Sequence, residues 1–397
     1  MAPRVIPIAA TGGAPTGLAT LPPLSLYIHF PWCVRKCPYC DFNSHEAREG
    51  IPEARYLAAL IADLEQSLPL VWGRPVTSVF IGGGTPSLLA PESVDALLGA
   101  VRARLTLLPD AEITLEANPG TVEAARYAGY RAAGVNRLSI GVQSLNPRHL
   151  AALGRVHDEK VARRAVELAL KHFDSVNLDL MYALPGQTLD EARADIRAAA
   201  AFGTPHLSAY HLTLEPNTAF FLKPPPLPDA DLAAQMQDAV EETLAARGYG
   251  HYEVSAFARP GRECRHNLNY WLFGDYLGIG AGAHGKLSAH EGILRQMRHK
   301  HPQAYLDGIE HGDAVQEQHA VAAADLPFEF LMNALRLTEG FPARLFAERT
   351  GLTLDSIRPQ LDEAAAQGLL EETAERIAPT ERGRRFLNDL LQLFLRD

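Results

Sequence analysis

The chain has 397 residues, of which 47% are hydrophobic, and its formal net charge at neutral pH is −10. This length exceeds what one ordinary core requires, so the sequence predicts two domains with additional segments. The negative charge offers no general attraction for nucleic acid, and no apolar run reaches the ~18 residues that a membrane-spanning helix needs.

The first 23 residues are rich in Ala, Gly, Pro and Thr and lack the sustained apolar stretch of a signal peptide. We therefore predict a flexible N-terminal extension over residues 1–23. Four cysteines in a chain of this size are typical of a reduced protein, so we expect a cytoplasmic location, with any membrane contact made through a partner.

Predicted β-strands alternate with Ala-rich amphipathic helices between residues 24 and 214. The strands are 24–30, 78–81, 112–117, 137–142, 175–182 and 206–214, and the helices are 53–68, 91–105, 122–133, 158–172 and 189–202. Helical crossovers between strands require a parallel sheet. Six repeats are too few for a closed eight-unit barrel, so the predicted fold is α/β, with a partial (β/α)6 barrel as the core, residues 24–257. Functional loops in such sheets follow the C-terminal ends of the strands.

The remainder of the chain divides into two predicted regions. Residues 258–321 are rich in Gly, His and aromatic residues, and we expect an irregular connecting region. Residues 322–397 contain helical patterns at 327–337, 343–350, 354–368 and 380–395 around a short strand-and-turn stretch, which predicts a mostly helical, winged-helix-like domain. Residues 321–397 hold nine Arg or Lys and thirteen Asp or Glu, so capping or protein docking is favoured over DNA binding.

Cys33, Cys37 and Cys40 follow the first predicted strand with the spacing C-x3-C-x2-C. Three thiolates can hold three irons of a four-iron cluster and leave the fourth iron open to a small molecule. A structural zinc site is an alternative, in which His29 or His45 would supply the fourth ligand.

Polar and glycine residues stand at the ends of the later predicted strands. Gly82, Gly83 and Gly84 precede Thr85 and Pro86, and glycine lets a backbone approach a ligand closely, although a tight turn would also need it. The polar residues are Glu116, Gln143, Arg155 and Asp179. Such groups are costly to bury unless they are paired or liganded, and their mixture of donors and acceptors suits a zwitterion that carries a ribose. Structural hydrogen bonds or ion pairs are the alternative for each of them singly.

The cysteine loop and the glycine run together resemble the radical S-adenosylmethionine (SAM) superfamily. Within it, the chain is similar to the oxygen-independent coproporphyrinogen III oxidase-like family along nearly its whole length, most clearly at residues 27–33, 139–144 and 179–187. The resemblance implies that Cys33, Cys37 and Cys40 bind a [4Fe-4S] cluster whose open iron is chelated by SAM, and that an electron donor reduces it. It also implies that SAM is surrounded by Tyr27, Gly83, Gly84, Thr85, Glu116, Gln143, Arg155 and Asp179.

Two features distinguish the subgroup. Phe42 occupies the position at which the coproporphyrinogen dehydrogenases have a further cysteine. Residues 264–271, Cys-Arg-His-Asn-Leu-Asn-Tyr-Trp, resemble the H-N-x-x-Y-W signature of the heme chaperones, which bind heme and pass it to acceptor proteins. Because histidine is a common axial ligand of heme iron, His266 is the first predicted heme contact, His284 the second and Cys264 the third. The alternatives are that His266 and Trp271 only stabilise an irregular loop, and that Cys264 is a buried inert thiol.

The sequence therefore predicts a heme-trafficking protein with a radical-SAM body, which delivers heme to a membrane-associated respiratory partner. Two other functions stay open: oxidative decarboxylation of coproporphyrinogen III, against which Phe42 argues, and a zinc-stabilised binding protein. Whether the chain is an enzyme also stays open. The sequence names neither the heme acceptor, the electron donor nor the oligomeric state.

Overall fold

The centre of the fold is a parallel β-sheet. The computed structural model describes residues 18, 20–48, 50–121 and 124–395, so most of the predicted extension 1–23 and the start of the third predicted helix lie outside the described residues. The central strands are β1 Leu24–Phe30, β2 Pro75–Gly83, β3 Thr106–Ala117, β4 Arg137–Gln143, β5 Ser175–Tyr182 and β6 His206–His211. They pair in chain order and all in parallel, which confirms the predicted partial barrel.

Helices connect consecutive strands and cover the outside of this sheet. They are α1 Glu53–Val71, α2 Pro91–Arg104, α3 Ala124–Ala133, α4 Pro147–Ala152, α5 Glu159–His172 and α6 Leu189–Ala200, with short 3-10 turns at Pro86–Leu88 and Pro119–Thr121. The N-terminus of α5 is capped by Asp158, whose carboxylate accepts from the Val161 N–H at 2.9 Å. A capping box of Thr188 and Glu191 starts α6. These local signals place the helix starts where the amphipathic patterns begin.

Further strands extend the central sheet at both edges. The elements are α7 Ala219–Leu222, α8 Ala230–Ala245, β7 Gly250–Glu253, β8 Ala256–Ala258, α9 Arg265–Trp271, β9 Asp275–Ile279, β10 His284–Ala289, β11 Gly292–Arg298, α10 Pro302–His311 and β12 Val315–Ala320. The complete order is β12-β11-β10-β9-β1-β2-β3-β4-β5-β6-β8-β7. Strand β9 pairs in parallel with β1, and the strands beyond it run antiparallel.

The prediction that residues 258–321 are irregular is wrong, because most of them lie in the strands β9 to β12 or in the helices α9 and α10. Glycine ordinarily weakens a strand pattern, but here it allows two strands to approach closely. A Cβ atom on Gly278 of β9 would clash with the carbonyl oxygen of His284 on β10. Gly278, one of the glycines that suggested irregular structure, is therefore required by the pairing itself.

The C-terminal region packs around its own aromatic core. It consists of α11 Leu326–Ala334, β13 Phe341–Pro342, α12 Ala343–Thr350, a 3-10 turn Leu354–Ile357, α13 Arg358–Ala366, β14 Leu370–Glu372, β15 Arg376–Pro379, α14 Glu381–Arg385 and α15 Leu387–Gln392. The helices α11, α12 and α13 and a small antiparallel sheet, whose first strand lies between α11 and α12, agree with the predicted helical C-terminal domain. The last predicted helix is interrupted at Phe386. Phe330 lies in this core, and its ring contacts the rings of Phe341 and Phe346 and that of Phe273 next to the main sheet. No helix within the described residues is long and apolar enough to cross a bilayer.

Candidate functional site

The three cysteines of the C-x3-C-x2-C motif lie on a loop that leaves the C-terminal end of β1. Trp32–Cys33 pairs in parallel with His45–Glu46, so the loop closes on itself, and the Cys40 N–H donates to the Cys37 carbonyl at 3.2 Å. All three thiols are partly buried. Burial raises the pKa of Cys33 and of Cys40, while a hydrogen bond from the Thr85 hydroxyl to the Cys33 sulfur, at 3.4 Å, favours the thiolate.

The thiols are not arranged around a single metal ion. Within the described residues, no three His, Cys, Asp or Glu side chains are brought together to hold one ion. A four-iron cluster needs wider spacing, because each of its ligands binds a different iron. The choice between cluster and zinc therefore depends on the fold around the loop.

The glycine run at the end of β2 holds the cysteine loop against the sheet. The Gly84 N–H donates to the Phe30 carbonyl at 2.7 Å, and the Thr85 N–H donates to the Trp32 carbonyl at 2.8 Å. A Cβ on Gly84 would lie 2.5 Å from the Trp32 carbonyl oxygen, and Gly83 has a φ of 114° that favours glycine. The sequence predicted a close backbone approach to a ligand, whereas the close approach seen here is to the cysteine loop.

A cavity of about 380 Å³ lies beside the cysteines, at the C-terminal ends of the central strands. Its walls contain all three cysteines and most of the predicted SAM contacts, namely Gly83, Gly84, Thr85, Glu116, Gln143, Arg155 and Asp179. Residues from β2, β3, β4 and β5 thus meet in one place because the ends of parallel strands share one edge of the sheet. The structure brings the predicted site together, with Tyr27 and His266 as the exceptions.

Two carboxyl groups dominate the electrostatics of this cavity. The Gly83 N–H donates to Glu116 Oε2 at 3.0 Å, yet burial, together with the nearby charge of Asp179, raises the pKa of Glu116 to about 8. Asp179 accepts from the Ser139 hydroxyl at 2.9 Å and the Asn177 amide at 2.8 Å, and burial raises its pKa as well. A bound cationic amino group, or hydroxyls that donate to these carboxylates, would offset this cost.

Arg155 links the cavity to the cysteine loop. Its Nη2 donates to the Gly141 carbonyl at 2.7 Å, and its Nη1 lies 3.6 Å from the Cys37 sulfur. Among the described residues, its buried Nε has no hydrogen-bond partner, which leaves a donor for a bound acceptor group. Gln143, at the end of β4, adopts a φ of 68° that is unusual for a residue other than glycine. The donor set and this strained strand end fit a small zwitterion bound beside a cluster.

The structure places the remaining predicted residues elsewhere. The Tyr27 hydroxyl is 2.9 Å from His29 Nδ1 and faces a second cavity. His266 is buried, with Nδ1 at 2.9 Å from the Ser78 hydroxyl and Nε2 at 3.0 Å from the Tyr270 hydroxyl, and burial lowers its pKa to about 3. In this conformation His266 ties α9 to β2 and presents no free ring nitrogen to a heme, so the geometry opposes its predicted role.

Cys264 is likewise part of the interior. It is fully buried beside Glu112, and burial raises the pKa of its thiol to about 12. A buried neutral thiol is a poor metal ligand. The structure therefore gives no support to the prediction that Cys264 contacts heme iron.

Several residues of the first cavity were not predicted from the sequence. Ser139 supports Asp179, and Tyr210 and Leu212 follow or end β6 next to the predicted site. Tyr39 lies inside the cysteine loop and is 3.5 Å from Arg155 Nη1. Their positions at strand ends and within the cysteine loop could have indicated that they line the site. Serine and tyrosine are, however, common in purely structural positions.

Comparisons with known proteins agree with this geometry. Residues 27–199 match the Radical SAM superfamily, and residues 321–386 match the HemN C-terminal domain. A solved structure entitled "Coproporphyrinogen III oxidase (HemN) from Escherichia coli is a Radical SAM enzyme" superposes with a TM-score of 0.80 and 25% identity, over 94% of this chain and 90% of that one. The fold and the cysteine site therefore define a protein of the radical SAM class with a HemN-type C-terminal domain.

Curated relatives narrow the assignment further. "Heme chaperone HemW" of Escherichia coli is 53% identical over 380 residues, which are 95% of this chain and all of the relative. "Heme chaperone HemW" of Mycobacterium tuberculosis is 39% identical over 96% of this chain and 97% of the relative. The chain belongs to the HemW family.

Proposed function

We propose that this protein is a heme chaperone of the radical SAM type, which binds a [4Fe-4S] cluster, SAM and heme and delivers the heme to acceptor proteins. The observation that carries the proposal is the end-to-end match, at 53% identity, to a relative named as a heme chaperone. A match of this length includes the cysteine loop, the sheet and the C-terminal domain together. A single domain shared by proteins of different function would not give a match of this length.

The residues present fit both the cluster and SAM. Cys33, Cys37 and Cys40 would hold three irons, and the adjoining cavity would hold SAM at the fourth. When bound and reduced, the cluster supplies an electron to the sulfonium of SAM. The chain itself orients the ligand: the buried Nε of Arg155 would donate to an acceptor group, and Glu116 would accept from an amino group. The buried walls would exclude water.

Phe42 favours the chaperone over the coproporphyrinogen dehydrogenase. It stands where those enzymes have a further cysteine, and its side chain is 58% exposed beside both cavities. A phenyl ring cannot ligate iron, whereas an exposed aromatic ring can pack on a porphyrin. The same position thus loses a metal ligand and gains a surface for a flat apolar cargo.

We further propose a cytoplasmic protein whose heme acceptors are respiratory proteins, including membrane-associated ones. An electron donor is needed if the cluster is reduced during function. The C-terminal domain carries more acidic than basic residues, which suits docking to a protein better than binding to nucleic acid.

Transfer of heme tests the proposal against its rival. The anaerobically reconstituted protein is loaded with one equivalent of heme and mixed with a detergent-solubilised apo-cytochrome b, and free heme serves as the control. We expect the absorption spectrum of the holo-cytochrome to form faster than with free heme. The same preparation, given SAM and a reductant, should leave coproporphyrinogen III unchanged. Conversion to protoporphyrinogen, or transfer no faster than from free heme, would contradict the chaperone function.

A further inference from the structure

A second cavity of about 680 Å³ lies between the cysteine loop, the start of the sheet extension and the C-terminal domain. It borders the first cavity, since Gly83, Glu116 and Phe42 line both. Small-molecule sites in proteins have volumes of roughly 300–1,000 Å³. The second cavity is therefore large enough for a ligand of its own, directly next to the cluster and SAM site.

Aromatic side chains give this cavity an apolar wall suited to a flat ring system. Tyr27, Tyr270, Trp271 and Tyr276 line it, and Tyr270 and Tyr276 meet edge to face with ring centroids 4.6 Å apart. Aromatic rings bury a large apolar area and pack in stacked or edge-on geometry. A porphyrin has the flat apolar faces that such a wall would recognise.

Among the residues that the structure describes, three histidines line the cavity, and one of them, His284, has both ring nitrogens available. His29 uses Nδ1 toward the Tyr27 hydroxyl and Nε2 toward the Asn43 carbonyl, and His45 Nε2 lies 3.4 Å from Asn43 Oδ1. Within the described part of the chain, the imidazole of His284 makes no hydrogen bond, and its side chain is exposed at the cavity. Partial burial, with the nearby charges of Lys300 and Arg295, lowers its pKa, which favours the neutral imidazole that binds metals.

The turn that carries His284 is anchored to the core. The Gly280 N–H donates to Asp63 Oδ2 at 3.0 Å, and the Ala281 N–H donates to the Tyr56 hydroxyl at 2.9 Å. Asn43 of the cysteine loop donates from Nδ2 to the carbonyls of Ala281 and Lys300, each at 2.9 Å. An axial ligand on this turn would be held in position before the heme arrives, which reduces the entropy lost on binding.

Hydrogen-bond donors at the cavity suit the propionate groups of heme. Lys36 Nζ donates to the carbonyls of Phe42 and Ser44, at 3.2 and 3.3 Å, and Lys300 is exposed at the cavity. Among the described residues, the buried indole N–H of Trp271 has no hydrogen-bond partner. Two ammonium groups and a free indole donor provide complementary charge and hydrogen bonds for two carboxylates.

We propose that the heme cargo occupies this second cavity, with the His284 imidazole as an axial ligand of the iron. Lys36, Lys300 and the indole N–H of Trp271 then face the propionates. The inference rests on the proposed function, because it names where the cargo of a heme chaperone would bind. It assigns the iron contact to β10 instead of the His266 segment.

Replacing the axial ligand tests this assignment. His284→Tyr should change the absorption and electron paramagnetic resonance spectra of the ferric heme complex from a histidine-ligated to a tyrosine-ligated type, and should weaken heme binding at least tenfold. His290→Tyr is the matched control, because His290 is exposed at the end of the same hairpin. It should retain the wild-type spectrum and affinity.

The outcomes separate this inference from the proposed function. If the wild type binds heme and H284Y gives the same spectrum and affinity, the assignment of His284 is overturned while the chaperone function stands. If the wild type itself binds no heme, the proposed function fails.

The propionate contacts have a separate test. The wild type should bind heme dimethyl ester several-fold more weakly than heme, and Lys36→Ala with Lys300→Ala should remove that preference. Lys160→Ala, on the outer helix α5, should keep it. An unchanged preference in the double variant would contradict the lysine assignment.

Discussion

A buried carboxylate, Asp63 of α1, connects that helix to the turn that presents His284. It pairs with Arg298 at 2.9 Å, and both side chains are nearly inaccessible, at 1% and 2% exposure. Asp63 also accepts from the Tyr305 hydroxyl and the Gly280 N–H, each at 3.0 Å. Asp63→Ala would leave the Arg298 charge buried without its counter-charge. Loss of one partner of a buried ion pair costs about 3–5 kcal/mol of unfolding free energy.

Thermal unfolding measures this cost. At about 2 °C per kcal/mol, the figure for a large domain, D63A should lower Tm by roughly 6–10 °C. The matched control is Arg55→Ala, since Arg55 also connects α1 to α10, through Glu310 at 2.6 Å. That pair is exposed and screened, so its loss should cost less than about 1 kcal/mol.

Equal, small shifts for both variants would refute the claim that the buried pair fixes this turn. D63A should also weaken heme binding, because the Gly280 N–H loses its acceptor. A variant with lowered Tm and unchanged heme affinity would show that the turn is held by other contacts.

Three further predictions concern the cluster and SAM site. Cys37→Ala should abolish iron binding in reconstituted protein. Cys264→Ala should keep the full iron content, because Cys264 is buried away from the loop. Iron retained by C37A would exclude the cluster assignment. Because the pKa of Glu116 is raised from 4.5 to about 8, the folded protein without SAM binds a proton that the unfolded chain has released, so Tm should fall as pH rises from about 5 to about 8. Glu116→Gln should flatten that profile, and an identical slope in both proteins would contradict the shift. Gly84→Ala should lower iron content through its 2.5 Å contact with the Trp32 carbonyl, while Gly99→Ala, on an open helix surface, should leave it unchanged; normal iron in G84A would contradict the close approach.

The barrel and the first cavity were predictable because their signals are local. The strand β5 Ser175–Tyr182 has the predicted bounds, and Asp158 caps α5 as its sequence suggests. Parallel strands place their C-terminal ends at one edge, so the polar residues that follow them converge without any knowledge of distances. The C-x3-C-x2-C spacing likewise lies within one loop.

Contacts between distant segments were not predictable. From the sequence alone, Asp63 resembles any other surface charge on an amphipathic helix. Its partner Arg298 is 235 residues away in the sequence. The burial of His266 could not be predicted from the sequence. A histidine followed by Asn and aromatic residues resembles a ligand motif whether its side chain is exposed or buried. The strands β9, β10 and β11 were missed because each contains a glycine, which lowers strand propensity. The pairing of β9 with β1, and of the later strands with one another, becomes visible only in three dimensions.

Heme titration of the anaerobically reconstituted protein, followed by absorption spectroscopy, tests the central claim most directly. A heme chaperone should bind one heme per chain at saturation, with a Soret band shifted from that of free heme to that of a histidine-ligated complex. A spectrum that equals the sum of free heme and cluster at every ratio would contradict the account.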